Sequence, residues 1–253
     1  MIGVILQARM GSSRLPGKVL NKINGIPSLE FQIDRIKKAK KLNKIIVATS
    51  NNQQDNVIEK LCKKNDILFY RGSEQDVLKR YYECAKLYRL NTIVRLTADC
   101  PLIDPDIIDL IIEIFFKKKV DYCSNTLPLI SSKWPDGSDV EVFSFSALKK
   151  ANAENLKSIY REHVTHCFWD KKLKKYKSFQ VSNKEDWSKF RFTIDYPEDY
   201  IVVKLIAEKL FKKYKNNFNT KDIVDYLKLN PDIRKINRKY INDFKILLKK
   251  KFI

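Results

Sequence analysis

Residues 3–20 read GVILQARMGSSRLPGKVL, and what this stretch becomes decides the fold. Gly3–Gln7 is a short apolar run of strand type. It breaks into a segment with two glycines, two serines, a proline and three cations. Gly11, Pro16 and Gly17 do not sustain a helix. Arg9, Gly11, Ser12, Ser13, Arg14 and Lys18 should therefore share a loop that presents backbone N–H groups, two hydroxyls and three positive charges together. Such a loop suits a polyphosphate. A Walker A loop does not fit, because Gly11 and Gly17 enclose five residues rather than four and Val19 stands where a magnesium-binding Ser or Thr should follow the lysine. The dinucleotide pattern G-x-G-x-x-G is absent as well. The bland alternative is a surface loop that happens to be basic.

Outward from this stretch, short β-branched runs alternate with longer segments of helical period. Strands are expected at Gly3–Gln7, Lys44–Thr49, Ile67–Tyr70, Thr92–Thr97, Val140–Phe143 and Phe190–Ile194. Leu29, Ile33 and Ile36 recur as one helix face, and so do Val77, Tyr81, Ala85 and Tyr88. Asn24-Gly25 between Ile23 and Ile26 signals a tight hairpin. From Asp121 to about Lys189 the alternation degrades, with Pro128, Pro135 and Gly137 followed by the aromatic SIYREHVTHCFWD. This segment is expected to be an irregular excursion. The whole reads as an α/β fold, a Rossmann-like, mostly parallel sheet flanked by helices, in which ligands sit at the carboxyl ends of strands.

The chain has 253 residues, 44% hydrophobic and 11% aromatic, enough for one substantial core. IIDLIIEIFF at 107–116 carries Asp109 and Glu113 and is too short to span a bilayer. The start has no secretory-signal pattern, and the five cysteines are odd in number, scattered and free of C-x-x-C pairs. We expect reduced thiols and a cytoplasmic protein. The formal charge of +20 invites a nucleic-acid or membrane partner, but the lysines are dispersed along helical stretches and read as solvated faces. The densest basic run is KILLKKKFI at 245–253.

Strand ends carry the rest. VRLTADCPLIDPD delivers Asp99 to the edge occupied by the first loop, where a carboxylate beside a triphosphate can hold Mg²⁺; the plainer role is a turn cap. FRFTID places Asp195 similarly, with Glu198 and Asp199 assigned to the start of the next helix. Asp104-Pro105-Asp106 resembles a D-x-D metal motif, but N-cap, first helical residue and first-turn acid explain it better. His163 and His166 are the two histidines. Without further ligands at zinc spacing, they read as a substrate contact or as packed side chains.

ARMGSSRLPGK at 8–18 resembles the signature of the cytidylyltransferases that make CMP-Kdo and CMP-sialic acid. With YRGSEQDVLKRY at 70–81, VRLTADCPLIDP at 94–105, PDGSDVEVFS at 135–144, REHVT at 161–165 and RFTIDYPED at 191–199, the chain looks like the SpsF-type members of surface and spore-coat polysaccharide synthesis. The resemblance covers about residues 1–205. It implies a nucleotide-diphospho-sugar transferase type of fold and transfer of CMP from CTP, with Mg²⁺, to an acidic sugar or related precursor. By that resemblance Arg14, Lys18 and Asp99 are catalytic, and Asp99 and Asp195 hold the metal. Gln7, Ala8, Arg9, Gly11, Ser12, Ser13, Arg14, Lys18, Thr49, Ser50, Arg71, Gly72, Ser73 and Thr97 contact the nucleotide. Gly137, Asp139, Glu141, Arg161 and His163 face the acceptor. Thr97-Ala98 departs from the glutamine-glycine pair usual before the metal aspartate in the Kdo and sialic acid enzymes, so their acceptor specificity does not transfer.

The expected organisation is a nucleotidyltransferase domain at 1–205, with 121–189 on the acceptor side offering aromatics for a homodimer contact, and a basic helical extension at 206–253. Expected partners are small-molecule substrates, with neither nucleic acid nor membrane. Two other functions stay open from sequence: a nucleotidyltransferase that takes a sugar phosphate or another nucleotide, and a non-catalytic basic RNA-binding or glycosyltransfer-associated protein.

Overall fold

The computed structural model describes residues 1–126, 133–170 and 172–241. The chain opens with β1 (Ile2–Gln7), the hairpin β2 (Lys22–Ile23) and β3 (Ile26–Pro27), and α1 (Ser28–Ile36). There follow β4 (Lys44–Ser50), α2 (Asn56–Lys64), β5 (Leu68–Gly72), α3 (Val77–Leu87), β6 (Thr92–Thr97) and α4 (Pro105–Lys118). Then come β7 (Tyr122–Ser124), β8 (Glu141–Ser144), α5 (Phe145–Ala153), α6 (Ser158–His163), α7 (His166–Trp169) and β9 (Ser178–Gln180). The helices α8 (Pro197–Tyr214), α9 (Thr220–Leu229) and α10 (Pro231–Ile236) close the described chain.

Seven strands form one sheet in the order β5-β4-β1-β6-β8-β7-β9. Neighbours are parallel except at β8, which runs antiparallel to both β6 and β7. Because side chains alternate along a strand, Val4 and Leu6 of β1 pack with α1, α2 and α4, while Ile5 packs with α3 and α5 on the opposite face. The predicted helix faces hold: Leu29, Ile33, Ile36, Val77, Tyr81 and Ala85 are all buried. Each of the Leu, Ile and Val side chains contributes roughly 1.5–3 kcal/mol on leaving water. Tyr88 falls just past α3, where its hydroxyl donates to the Phe69 carbonyl at 2.7 Å. Asn24 and Gly25 both have positive φ, 49° and 85°, as the tight hairpin requires. Asp104 caps α4 by accepting from the Asp106 N–H at 3.0 Å, with Pro105 in the first turn.

Two expectations need correction. Phe190–Ile194 is not a strand of the sheet. It makes a single bridge, Arg191 to Asp136, and turns Phe190, Phe192 and Ile194 into a third core with Ile23, Phe31, Val202, Ile206, Phe218 and Ile223. That core attaches α8 and α9 to the β2–β3 hairpin, so burial under helices replaces strand pairing. The segment 121–189, in turn, is less of an excursion than expected, since it supplies β7, β8 and β9. Pro128 and the basic run 245–253 lie outside the described residues. Among those described, all five cysteines are buried and free, and no helix is long and apolar enough to cross a membrane.

Candidate active site

Register fixes the geometry. Gln7 at the end of β1 pairs with Ala48 of β4 and Thr97 of β6, so the segments leaving these strands open on one edge. After β1 the chain folds back on itself: Ser12 and Gly17 N–H groups donate to the Met10 carbonyl at 2.9 and 3.1 Å, and the Met10 N–H donates to Asp55 Oδ1 at 2.7 Å. Gly17 has φ 70°, a left-handed conformation that glycine adopts without strain. It starts the short 3₁₀ turn Lys18–Leu20, in which buried Val19 anchors the turn and Lys18 points to the strand ends.

Lys18 Nζ donates to Asp195 Oδ1 at 2.9 Å and to the Ile194 carbonyl at 2.7 Å, with Asp99 Oδ2 at 3.5 Å. Arg14 pairs with the same Asp195 oxygen at 2.9 Å, its guanidinium lying 4.9 Å from the centre of the Tyr196 ring. Residues from three segments distant in sequence thus meet. Burial alone would lower the Lys18 pKa, but Asp99 and Asp195 outweigh it and hold the ammonium above its ordinary value. Arg14 is raised in the same sense, Asp195 overriding burial. For Asp99, burial works upward, yet the Lys18 charge and hydrogen bonds from Thr97 and Cys100 bring the carboxyl below its ordinary value.

The structure adds Asp136 and Arg191 to this group and brings Asp139 and Asp199 beside them. Arg191 lies between Asp136, Asp195 and Asp199: it hydrogen-bonds Asp136, forks onto both oxygens of Asp199 at 2.9 and 2.7 Å, and approaches Asp195 at 3.5 Å. Asp199, fully buried, also accepts from the Asp195 and Tyr196 N–H groups at 3.0 and 3.1 Å. It therefore starts α8, as read from sequence, and fixes the turn that carries Asp195. Asp139 lies beside the Cys100 thiol, 3.6 Å away. Burial and repulsion from Asp136 and Asp99 push its pKa up to about 7, and Asp136 rises to about 6 by burial and its acidic neighbours despite Arg191. Gly137 makes this approach possible. Its φ is 112°, and a Cβ there would stand 2.7 Å from the Phe192 carbonyl carbon and the Thr193 nitrogen. Sequence reading gave Asp136 and Arg191 no role; their signal was their place inside the PDGSD and RFTID motifs.

Other expected residues serve as walls and braces. Ala8 is buried and bonds to Ala48, and Gln7 Oε1 lies 3.5 Å from both Tyr81 and Arg95. Arg9 is exposed, 3.6 Å from Glu74. Gly11 lies against the Gln54 amide, Ser12 Oγ accepts from the Leu15 N–H at 3.4 Å, and Ser13 is exposed. Thr49 and Ser50 are buried, the Ser50 hydroxyl donating to Asp55. Arg71 is engaged by Ser50, Asn52, Asn56 and Glu59, which ties the ends of β4 and β5 together. Gly72 ends β5 close to Arg80, and Ser73 Oγ accepts from the Asp76 N–H at 2.9 Å. The Thr97 carbonyl accepts from Gln32 at 2.9 Å. Of the residues expected to face an acceptor, Glu141 is held by Arg95 and by the Tyr122 hydroxyl at 2.6 Å. Arg161 binds Asp76 at 2.8 Å, and the His163 ring stacks on His166 at 4.6 Å. Glu141 and Arg161 thus make these contacts with Arg95, Tyr122 and Asp76 and not with Lys18.

Among the described residues no three His, Cys, Asp or Glu side chains form a ready cage for a metal. A hard cation of the Mg²⁺ type does not need one, since it takes one or two carboxylates and completes its shell with phosphate and water oxygens. Asp99 and Asp195, already drawn onto a single ammonium, would supply that pair. The residues present fit such an ion.

The geometry agrees with the comparisons to known proteins. The cytidylyltransferase family model matches residues 3–229. An uncharacterised protein, MJ1063, of Methanocaldococcus jannaschii is 38% identical over 239 residues, covering 94% of this chain and 94% of its own. The spore coat polysaccharide biosynthesis protein SpsF of Bacillus subtilis is 30% identical, covering 90% and 94%. A solved cytidylyltransferase of Leptospira borgpetersenii superposes with a TM-score of 0.84 at 34% identity, over 92% of this chain and 95% of that one. With the family model spanning nearly the whole described chain and the motif residues converging at one strand edge, this chain belongs to the cytidylyltransferase family, whose members are nucleotidyltransferases that use CTP.

Proposed function

We propose that the chain transfers CMP from CTP, with Mg²⁺, to an acidic sugar or a related surface-polysaccharide precursor. The observation that carries this reading is the meeting of Lys18, Arg14, Asp99 and Asp195. A loop, a strand end and a helix entry, far apart in sequence, bring two cations and two carboxylates together, which supports a site for a triphosphate and its counterion.

In the proposed step an acceptor oxygen attacks the α-phosphorus in line. Its new P–O bond forms as the bond to the β-bridging oxygen breaks, and pyrophosphate leaves with that electron pair. Arg14 and Lys18 stabilise the charge on the departing pyrophosphate. Asp99 and Asp195 would hold Mg²⁺, which when bound neutralises phosphate charge and lowers the pKa of a hydroxyl acceptor. Asp139, with its pKa near 7, can hold or take a proton on the acceptor side. Gly137 sets the close approach of that side to Thr193. Gln7, Ala8, Arg9, Gly11, Ser12, Ser13, Thr49, Ser50, Gly72, Ser73 and Thr97 wall the nucleotide side, with Arg71 bracing it. Glu141, Arg161 and His163 shape the acceptor side at longer range.

We read residues 1–205 as the catalytic domain, with 206–253 as its extension, and we expect a cytoplasmic protein that forms a homodimer through 121–189. A pyrophosphate-release screen of the four nucleoside triphosphates against sugar acids and sugar phosphates tests the function. Release with CTP and a sugar acid is expected. Preference for another nucleotide, or for a sugar 1-phosphate, would replace the reading.

A further inference from the structure

We propose that residues 230–240 act as a positioning clasp on the active site, with Asn237 setting Asp195 and Tyr240 setting Arg14. The inference rests on the reading of Asp195 as the metal aspartate and Arg14 as a triphosphate contact.

Asn237 ends α10 and is almost fully buried. Its Nδ2 donates to Asp199 Oδ1 at 2.8 Å and lies 3.2 Å from the Arg191 carbonyl. Asp199 in turn receives Arg191 on both oxygens and the Asp195 N–H at 3.0 Å. The amide thus fills the remaining lone pair of the carboxylate that holds the Asp195 backbone, and it keeps Arg191 directed at Asp195. Buried carboxylates this fully engaged have one orientation, and groups behind a metal-binding carboxylate govern how well it binds.

Three residues on, the Tyr240 ring stacks on Tyr196 with centroids 3.7 Å apart and planes 4° from parallel. Its hydroxyl donates to Glu198 Oε2 at 3.1 Å, and Lys239 binds the other Glu198 oxygen at 2.7 Å. Arg14 lies over the same Tyr196 ring, its guanidinium 4.9 Å from the ring centre. Tyr240 therefore fixes the platform on which the loop cation rests. Asn237 and Tyr240 are separated from the site by about forty residues of chain but by one contact each in space.

The test uses the full chain. Mn²⁺ binding is measured by electron paramagnetic resonance with CTP present and acceptor omitted, alongside steady-state constants and thermal midpoints. Asn237→Ala should weaken Mn²⁺ roughly 10- to 100-fold, the range for groups that orient metal ligands. Tyr240→Ala should raise KM for CTP about two- to tenfold, as for loss of a stacked aromatic pair, with Mn²⁺ affinity unchanged. Tyr240→Phe, which keeps the stack, should restore KM. Wild-type Mn²⁺ affinity in folded Asn237→Ala overturns the proposal, as does a loss in every constant that merely tracks the folded fraction. Should Asn237→Ala fail to fold, Tyr240→Ala decides, and an unchanged KM there overturns the clasp. Unaltered Mn²⁺ binding in Asp195→Asn refutes the metal reading itself and the Asn237 arm with it, whereas loss in Asp195→Asn but not in Asn237→Ala refutes the clasp alone.

Discussion

Replacing Lys18 by Met keeps the length of the side chain and removes its charge from between two carboxylates. At the observed 2.9 and 3.5 Å, and with an effective dielectric of about 20, the gross attractions are about 6 and about 5 kcal/mol. Most of this offsets the cost of taking the three charges out of water. Removing one partner of a buried pair costs about 3–5 kcal/mol net. Here the side chains of Lys18, Asp99 and Asp195 keep 13%, 28% and 19% of their exposure, so solvent screening brings the figure below that range, to about 2–3 kcal/mol. For a chain of this size that corresponds to a fall of roughly 4–12 °C in thermal midpoint. Two carboxylates without their ammonium are a better site for a divalent cation. Millimolar Mg²⁺ should therefore recover the midpoint of Lys18→Met, measured by calorimetry. Turnover should not recover, because the donor to the leaving pyrophosphate is gone, a loss of about 2.7–4 kcal/mol or on the order of 10²–10³ in kcat. Turnover within tenfold of wild type, or a midpoint that Mg²⁺ leaves depressed, would refute the reasoning.

Asp99→Asn should cut CTP turnover by on the order of 10²–10³ while circular dichroism stays native, since Lys18 keeps Asp195; ordinary activity would place the metal elsewhere. Gly137→Ala combines a φ of 112° with a Cβ 2.7 Å from backbone atoms. It should cost about 2–4 kcal/mol of stability in strain and overlap, and an unchanged thermal midpoint contradicts that. Asp139 carries a pKa near 7 in the folded chain against about 3.9 unfolded. Between these values the folded state binds more protons, so without divalent metal its contribution to stability falls as pH rises from about 4 to 7 and levels off above. Asp139→Asn should flatten that part of the urea-denaturation profile; an identical slope would mean the carboxyl titrates normally.

The parts legible in sequence were those with local causes. Gly3–Gln7, the Asn24-Gly25 hairpin, the Leu29/Ile33/Ile36 face and the Asp104-Pro105 cap each follow from neighbours in the chain. Phe190–Ile194 alternates apolar and polar residues like a strand, yet all five side chains are buried. What buries them is α8 and α9, which no local pattern announces. β7 and β9 are three residues each, too short to show a period. In the site, Lys18 stood out as part of the cationic glycine loop, and Asp99 and Asp195 as acids that follow expected strands. Arg191 looked like the polar face of a strand, and its role depends on Asp136 and Asp199 arriving from elsewhere. Ser50 and Arg71 carry the right chemistry for a ligand, yet their hydrogen bonds go to Asp55, Glu59 and backbone carbonyls, a commitment visible only in three dimensions.

The central claim is that this edge of the sheet moves the α-phosphorus of CTP. Incubating the protein and Mg²⁺ with CTP labelled at the α-phosphorus, across a panel of sugar acids and sugar phosphates, tests it most directly. The account predicts label in an acceptor-linked CMP product, with one pyrophosphate released for each product formed. Label confined to CTP and free CMP across the panel, or transfer from γ-labelled CTP instead, would contradict it.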